Sequence, residues 1–429
     1  MRIWIITMTF PEPSETFACN DILALKKTGL DISVHGLRFR HKLFSSLVTE
    51  RGLEEIWITH NSIKNSFNGI WFALMHPILL TGLIWWILKH SWNKPINLLK
   101  SLVLVPRSLQ IFNHAQLHKP DIVYLYWSHF PALVGYLIQS KLPETVVSIS
   151  FVAHDVYYSE FDTEDSYTGS VARHADLIQS ITAANIPAIE KYGISKGQIL
   201  LSYHGVDFSK IPERKEKVKR RIVTAGRLIP EKGFHFVLQA FSQILMKWPD
   251  ASLVILGDGP ERKQLEALAS SLKISHAVCF HGFVSHAEIF EEMAVAEIFL
   301  FMSKAERLPN VVKEAMACHC LCVTSYTPGI EELIDDQIHG YIVNQGDVDA
   351  AAKQVQQAFL NPGEMNHMTE VAYQYLKSNF DLHHIIENVR DIWVKLVFSK
   401  KSASLTLDRK LSSLEPTDLK GNKLNLTIQ

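Results

Sequence analysis

Glu306 and Glu314 stand eight positions apart in SKAERLPNVVKEAMA, residues 303 to 317, directly after the apolar run EIFLFM. Pro309 suits the first turn of a helix. Glu306 therefore precedes the helix on a loop, and Glu314 lies within it, a further turn inward. An ionised carboxylate only accepts hydrogen bonds, so Glu314 suits paired ribose hydroxyls. The backbone amides of Leu308, Asn310 and Val311 are candidate helix-start donors for a phosphate or a sugar hydroxyl. Upstream, a β-rich run ends at Ala225 and GRLIPEKG leads into a helix. Gly226 permits tight backbone there. Arg227 and Lys232, five apart beside a helix N-terminus, form a candidate diphosphate clamp.

These residues need a rigid frame, and the strand and helix patterns alternate along the chain in two sets. The first set of strand-like runs is Arg2–Thr7, Asp31–Leu37, Asp121–Trp127, Val146–Val152, Asp176–Ser180 and Ile199–Tyr203. The second is Arg221–Ala225, Ser252–Leu256, Val278–His281, Ile298–Phe301, Leu321–Thr324 and Tyr341–Val343. Helical patterns between them predict parallel sheets covered on both faces. The charged interlude 209–220 divides an N-terminal domain, 1–208, from a second domain, 209–381. A helix over 382–398, apolar at helical spacing, either closes the second domain or crosses back to the first. Residues 399–429 are polar and unpatterned and read as a disordered tail. Two doubly wound Rossmann-like domains would face a central cleft, where ligands favour the carboxyl ends of the strands.

Composition narrows the function. With 429 residues and a formal net charge of -1, the chain has no global attraction to nucleic acid, and an anion must be held by local groups. Cys318, Cys320 and Cys322 alternate in an apolar run beside His319 and lack a usual zinc spacing. They read as reduced, packed thiols in a cytoplasmic protein, and no metal site is expected. Asp347-Val348-Asp349 looks like a D-x-D metal motif but is better placed to cap the next helix. MRIWIITMTFPEP reads as a buried first strand and not as a signal peptide. Gly69–Leu88 is a run of twenty residues without formal charge, interrupted by His76-Pro77. Trp71, Trp85, Trp86 and Trp92, followed by Lys89, His90 and Lys94, suit a membrane-interfacial anchor over 69–94. A buried helix pair broken at Pro77 and a single span are the other two readings.

Several motifs occur together in a fixed order. Glu306 and Glu314 form an E-x7-E pair, with Pro309 and Glu314-Ala315-Met316-Ala317 around them. Gly226 to Gly233 reads G-R-x4-K-G. Gly257-Asp258-Gly259-Pro260, Gly282-Phe283-Val284, and Pro328-Gly329 with Glu331 each follow a strand-like run. This set resembles the donor half of retaining glycosyltransferases of family 4, which have the GT-B fold. Phe10-Pro11 and Ser14-Glu15-Thr16-Phe17 resemble the opening of bacterial exopolysaccharide and lipopolysaccharide members. The resemblance covers about residues 1 to 398. Arg307 and His319 depart from it, since glycine is usual at both positions.

The resemblance implies roles. Arg227 and Lys232 would hold the donor diphosphate, Glu314 the ribose, and the backbone around Phe283 and Val284 the base. Glu306 would contact the transferred sugar, with His154 near it. The donor would be a nucleotide-diphosphate-sugar and the acceptor a glycan or lipid-linked molecule. No metal or other cofactor is expected, because cationic side chains take its place. Such a protein would work in the cytoplasm, with peripheral contact at the inner face of the cell membrane. A non-catalytic nucleotide-sugar-binding assembly subunit and a nucleotide-sugar epimerase of the same fold are the alternatives.

Overall fold

A computed structural model describes residues 1–13, 15–152 and 166–412. The first sheet contains β1 (Arg2–Thr7), β2 (Asp31–Phe39), β3 (Trp57–Asn61), β4 (Ile122–Leu125), β5 (Val146–Phe151), β6 (Leu177–Ser180) and β7 (Ile199–Leu201). The second contains β8 (Val218–Ala225), β9 (Ser252–Leu256), β10 (Val278–Gly282), β11 (Ala296–Phe301), β12 (Leu321–Ser325) and β13 (Gly340–Val343). Their orders are β3-β2-β1-β4-β5-β6-β7 and β10-β9-β8-β11-β12-β13. Every pairing is parallel. Each sheet reverses direction once, between β1 and β4 and between β8 and β11. The crevice at such a reversal is where α/β sheets bind ligands.

The helices around the first sheet are α1 (Thr16–Lys27), α2 (Phe44–Glu50), α3 (Ile63–Met75), α4 (Pro77–Ser91), α5 (Pro95–His118), α6 (Ala132–Lys141), α7 (Tyr167–Ala172) and α8 (Ile186–Glu190). Those around the second are α9 (Phe234–Lys247), α10 (Arg262–Ser271), α11 (His286–Val295), α12 (Asn310–Ala317), α13 (Val348–Leu360) and α14 (Pro362–Asn379), followed by α15 (Leu382–Ser412). Buried β-branched and aromatic side chains fill both faces of each sheet. That explains the near-continuous apolar runs of the strands.

Three features differ from the sequence expectation. The edge strand β3 escaped it, because WITHN is half-exposed and borders a water-facing edge. The charged interlude is shorter than expected, since β8 already begins at Val218. The last helix continues to Ser412, into the segment read as a disordered tail. It is tied to the first domain: Trp393 packs edge-on against Tyr124, and Lys400 and Lys401 pair with Asp176 and Asp121 at 2.8 and 2.6 Å. The chain thus passes between domains twice at one place. The Val206 amide donates to the Phe380 carbonyl at 2.8 Å, and the Leu382 amide to the Val206 carbonyl at 3.0 Å.

Between β3 and β4 lies a module of three helices. α3 and α4 break at His76-Pro77 and bend by 107°. Pro77 starts α4, where its missing N–H matters least. Trp86, grouped with the interfacial tryptophans in the sequence, is instead buried; it stacks on Tyr136 and its Nε1 donates to Ser170 at 3.3 Å. No single helix is long and apolar enough to cross a membrane. α3 crosses α5 at Gly69, where a Cβ would overlap the backbone carbonyl of Pro106. Gly69→Val is expected to lower stability by about 1–3 kcal/mol through overpacking. Gly82 on α4 faces open space, so Gly82→Ala should gain up to roughly 1 kcal/mol of helix propensity instead. Urea unfolding of both variants checks the contrast, and equal midpoints would refute the close crossing.

Candidate active site

The sequence-derived residues gather at the carboxyl edge of the second sheet. Gly226 and Arg227 follow β8, Phe283 and Val284 follow β10, and Glu306 to Glu314 follow β11. β8 and β11 are the two strands flanking the reversal of that sheet. Glycines let these loops approach. The Gly226 amide donates to the Leu256 carbonyl and the Gly257 amide to the Gly282 carbonyl, both at 2.9 Å. Gly233 has φ +65°, and a Cβ there would overlap the carbonyl of Met302. A side chain at 233 would push the 230–232 turn away from β11.

That close approach pairs Lys232 with Glu306. Lys232 ends the 3-10 turn Pro230–Lys232. The Glu231 carbonyl accepts from the Lys304 amide at 2.7 Å and from Ser303 Oγ at 3.1 Å. Ser325 Oγ on β12 donates to the Ser303 carbonyl. So docked, Lys232 Nζ and Glu306 Oε1 form an ion pair, both side chains mostly shielded from solvent. Arg227 is exposed nearby. The cleft edge thus carries two cations and one carboxylate on the loops after adjacent strands.

Pro309 caps α12 with extended backbone, one position before the helical turn the sequence suggested. The Val312 and Lys313 amides fold back on the Pro309 carbonyl. The Leu308, Asn310 and Val311 amides accordingly make no backbone hydrogen bond among the described residues. The Leu308 side chain itself is buried in the core. His286 Nε2 donates to Glu314 Oε1 at 2.8 Å, since an ionised carboxylate only accepts. His286 opens α11 behind the capping residue Ser285. Asn310 and Glu314 line a cavity shared with Thr16, Phe17 and Asn20 of α1, so the site lies between the domains. Phe283 is exposed and Val284 half-buried at the rim of the same edge. His154 lies outside the described residues.

Three neighbours of these residues carry no signature in the sequence. His286 is one, since a histidine at a helix start has no signature. Glu332 is another: it accepts from Thr182 Oγ1 and from the Ala183 and Ala184 amides, at 2.8 and 3.0 Å for the amides. This carboxylate therefore clasps the first domain from the second. The sequence reading had singled out its neighbour Glu331. The third is Lys313, fully buried beside Glu314, with Nζ donating to the carbonyl of His204 in the crossing segment. Asp21 of α1 stands near it and accepts from Tyr126 Oη and His204 Nδ1 at 2.5 and 2.9 Å. Burial pushes the Lys313 amine down to about 7, against the pull of Asp21 and Glu314.

The two departures from the family pattern have different fates. His319 keeps the left-handed backbone of the usual glycine, with φ +55°, at roughly 1–2 kcal/mol. It stacks on Tyr373 with ring centroids 4.3 Å apart. Arg307 lies at the interdomain surface, its carbonyl against Gly329. The three alternating cysteines are buried, their thiols pushed upward by desolvation; Cys320 Sγ donates to the Met293 carbonyl at 3.0 Å. Asp347 caps α13 by accepting from the Ala350 amide at 2.9 Å.

Residues 206–375 match the family model for glycosyl transferases group 1. The chain is 25% identical over 380 residues to an Escherichia coli K12 protein named as the colanic acid biosynthesis glycosyltransferase WcaL, covering 83% of this chain and 90% of that one. It is 28% identical over 179 residues to the lipopolysaccharide core biosynthesis glycosyltransferase LpsE of Rhizobium meliloti, covering 42% of this chain and only half of that relative. Among solved structures, Anabaena HepE in complex with UDP superposes with a TM-score of 0.70 at 17% identity, over 92% of this chain and all of that one. The two-domain architecture is the GT-B fold.

Proposed function

We propose that this chain is a retaining glycosyltransferase that moves a sugar, of hexosyl type, from a nucleotide-diphosphate-sugar to a glycan or lipid-linked acceptor in cell-surface polysaccharide assembly. The observation that carries this reading is the meeting of Lys232, Glu306 and the start of α12 at the reversal of the second sheet. The match of residues 206–375 to group 1 glycosyl transferases supports it. On this reading Glu314, oriented by His286, receives the ribose hydroxyls, and the rim at Phe283 and Val284 receives the base. Arg227, Lys232 and the α12 amides face the diphosphate. The bond from the anomeric carbon to the diphosphate oxygen breaks with its electron pair leaving on the diphosphate. Cations placed beforehand stabilise that growing charge without reorganising. The acceptor hydroxyl forms the new bond on the face the leaving group vacates, and its proton passes to the departing diphosphate. Glu306 borders the transferred sugar, and the resemblance gives His154 the same role. Cationic side chains serve where other transferases use a metal ion. On this reading the chain works in the cytoplasm, peripheral to the inner face of the cell membrane.

Donor binding tests this reading. A panel of nucleotide-diphosphate-sugars in a thermal-shift assay should yield at least one that raises the melting temperature, because a ligand of the folded state stabilises by mass action. Glu314→Ala should weaken that donor roughly ten- to a hundredfold through loss of charged hydrogen bonds. Product NMR should show the donor's anomeric configuration retained. Unchanged affinity in Glu314→Ala, no stabilising donor, or an inverted product would each overturn the corresponding part.

A further inference from the structure

The helical module α3–α5 turns apolar side chains outward. On α3, Phe67, Trp71 and Leu74 follow at helical spacing and all face solvent, with Trp71 60% exposed. The opposite face, with Phe72 and Ala73, packs inward. α4 adds Ile78 and Trp85, 87% and 70% exposed, and α5 adds Leu99. A helix of a water-facing surface shows the reverse pattern. Contiguous apolar surface of this extent on a folded domain marks an interaction site.

Its charge identifies the partner. Between Asn61 and Lys119 there is no aspartate or glutamate, whereas the chain as a whole carries 44 acidic against 43 basic residues. Lys64, Lys89 and Lys100 on the module are exposed. Arg107, in contrast, is buried and satisfied by the Gly36 carbonyl, Thr59 Oγ1 and Gln110 Oε1. Exposed tryptophan and aliphatic side chains framed by cations of one sign suit the headgroup region of an anionic bilayer. The 107° bend between α3 and α4, and the shortness of each helix, suit a module that lies on a surface.

We propose that α3–α5 is a docking surface for an anionic lipid bilayer, and that it holds the cleft against the membrane. α3 starts at the carboxyl end of β3. Beside it, the end of β2 and the loop after it carry exposed Arg38, Arg40 and Lys42, joined by the edge-on packing of Phe44 on His60. The carboxyl ends of the strands face the cleft, so the docked surface borders the acceptor side. This last step rests on the glycosyl-transfer reading: a lipid-linked acceptor would reach the site without leaving the bilayer.

Flotation of the full chain with phosphatidylethanolamine vesicles, with and without phosphatidylglycerol, tests docking independently of any donor. The wild type should float with anionic vesicles and release at high salt, where the screening length shrinks from about 10 Å to about 3 Å. Lys64→Gln, Lys89→Gln and Lys100→Gln together should weaken partitioning roughly fivefold per charge. Phe67→Ser, Trp71→Ser and Trp85→Ser together should abolish flotation, with circular dichroism unchanged and melting little changed because most of each side chain faces solvent. The proposal fails if the wild type stays with the pellet, if both variants float as the wild type does, or if light scattering shows a lipid-free dimer that the triple serine variant dissolves. Flotation without sugar transfer would instead overturn the reading of the cleft.

Discussion

Replacing Lys232 with alanine is expected to lower kcat/KM for sugar transfer by roughly 10²–10³, the usual loss when one preorganised donor to a developing anion is removed. Lys232 is held by the turn that ends at Gly233 and is aimed by its ion pair with Glu306. Alanine at 306 removes the partner that orients the ammonium and the carboxylate beside the sugar, so transfer should fall by a similar factor. The fold should survive both changes. The pair is partly shielded, so losing one partner should cost more than the about 0–1 kcal/mol of an exposed pair and less than the about 3–5 kcal/mol of a buried one. Unfolding midpoints should shift by that amount with the transition still cooperative, while activity collapses. The double variant separates two roles. If Lys232 served only to position Glu306, the second substitution would add no further loss to the first. If both contact substrate, Lys232→Arg should recover part of kcat that Glu306→Gln does not. Full turnover in both alanine variants would remove the proposed chemistry.

Lys313→Ala should destabilise the fold by about 2–5 kcal/mol, the range for truncating a long buried side chain. It would open space between α12 and the crossing segment and leave the His204 carbonyl without its donor. Lys313→Met, which keeps the volume, should be far milder, since apolar replacement of buried ions is often neutral. The two proteins should then differ in pH dependence. Lys313 titrates near 10.5 when unfolded and is pushed down to about 7 by burial in the fold. Between these values the unfolded chain carries a proton that the folded chain has released. Wild-type stability therefore rises with pH across that window and receives no such gain below about pH 7. The groups facing the amine are Asp21 from α1, Glu314 from its own helix, the His204 carbonyl and the Phe380 ring. Other tyrosines and cysteines titrate in both proteins, so the difference between wild type and Lys313→Met isolates this lysine. Urea unfolding at pH 6.5, 8 and 9.5 measures it. Parallel curves would show that Lys313 does not titrate in this window.

The domain plan and the donor-side loops were legible because both rest on local signals. Strands buried on both faces leave unbroken apolar runs, and Gly233, Gly257 and Gly259 mark where backbones must approach. The edge strand β3 was missed because half of its surface meets water. The helical extent of α15 was missed because its pairs with Asp121 and Asp176 lie far away in sequence.

From the chain of residues alone one can read two doubly wound domains, a cleft between them, and which loops bring cations and carboxylates to it. Spacing along a strand or helix sets these, and spacing is local. The pairing of Lys232 with Glu306, the orientation of Glu314 by His286, and the clasp of Glu332 on the 182–184 turn were decided by tertiary structure. So was the outward turn of the apolar faces of α3 and α4. The three polar pairings join atoms that lie 28, 74 and 150 residues apart in sequence. Only the packed sheets bring such groups within reach of a hydrogen bond, whose energy vanishes within a fraction of an ångström to a few ångströms of misplacement.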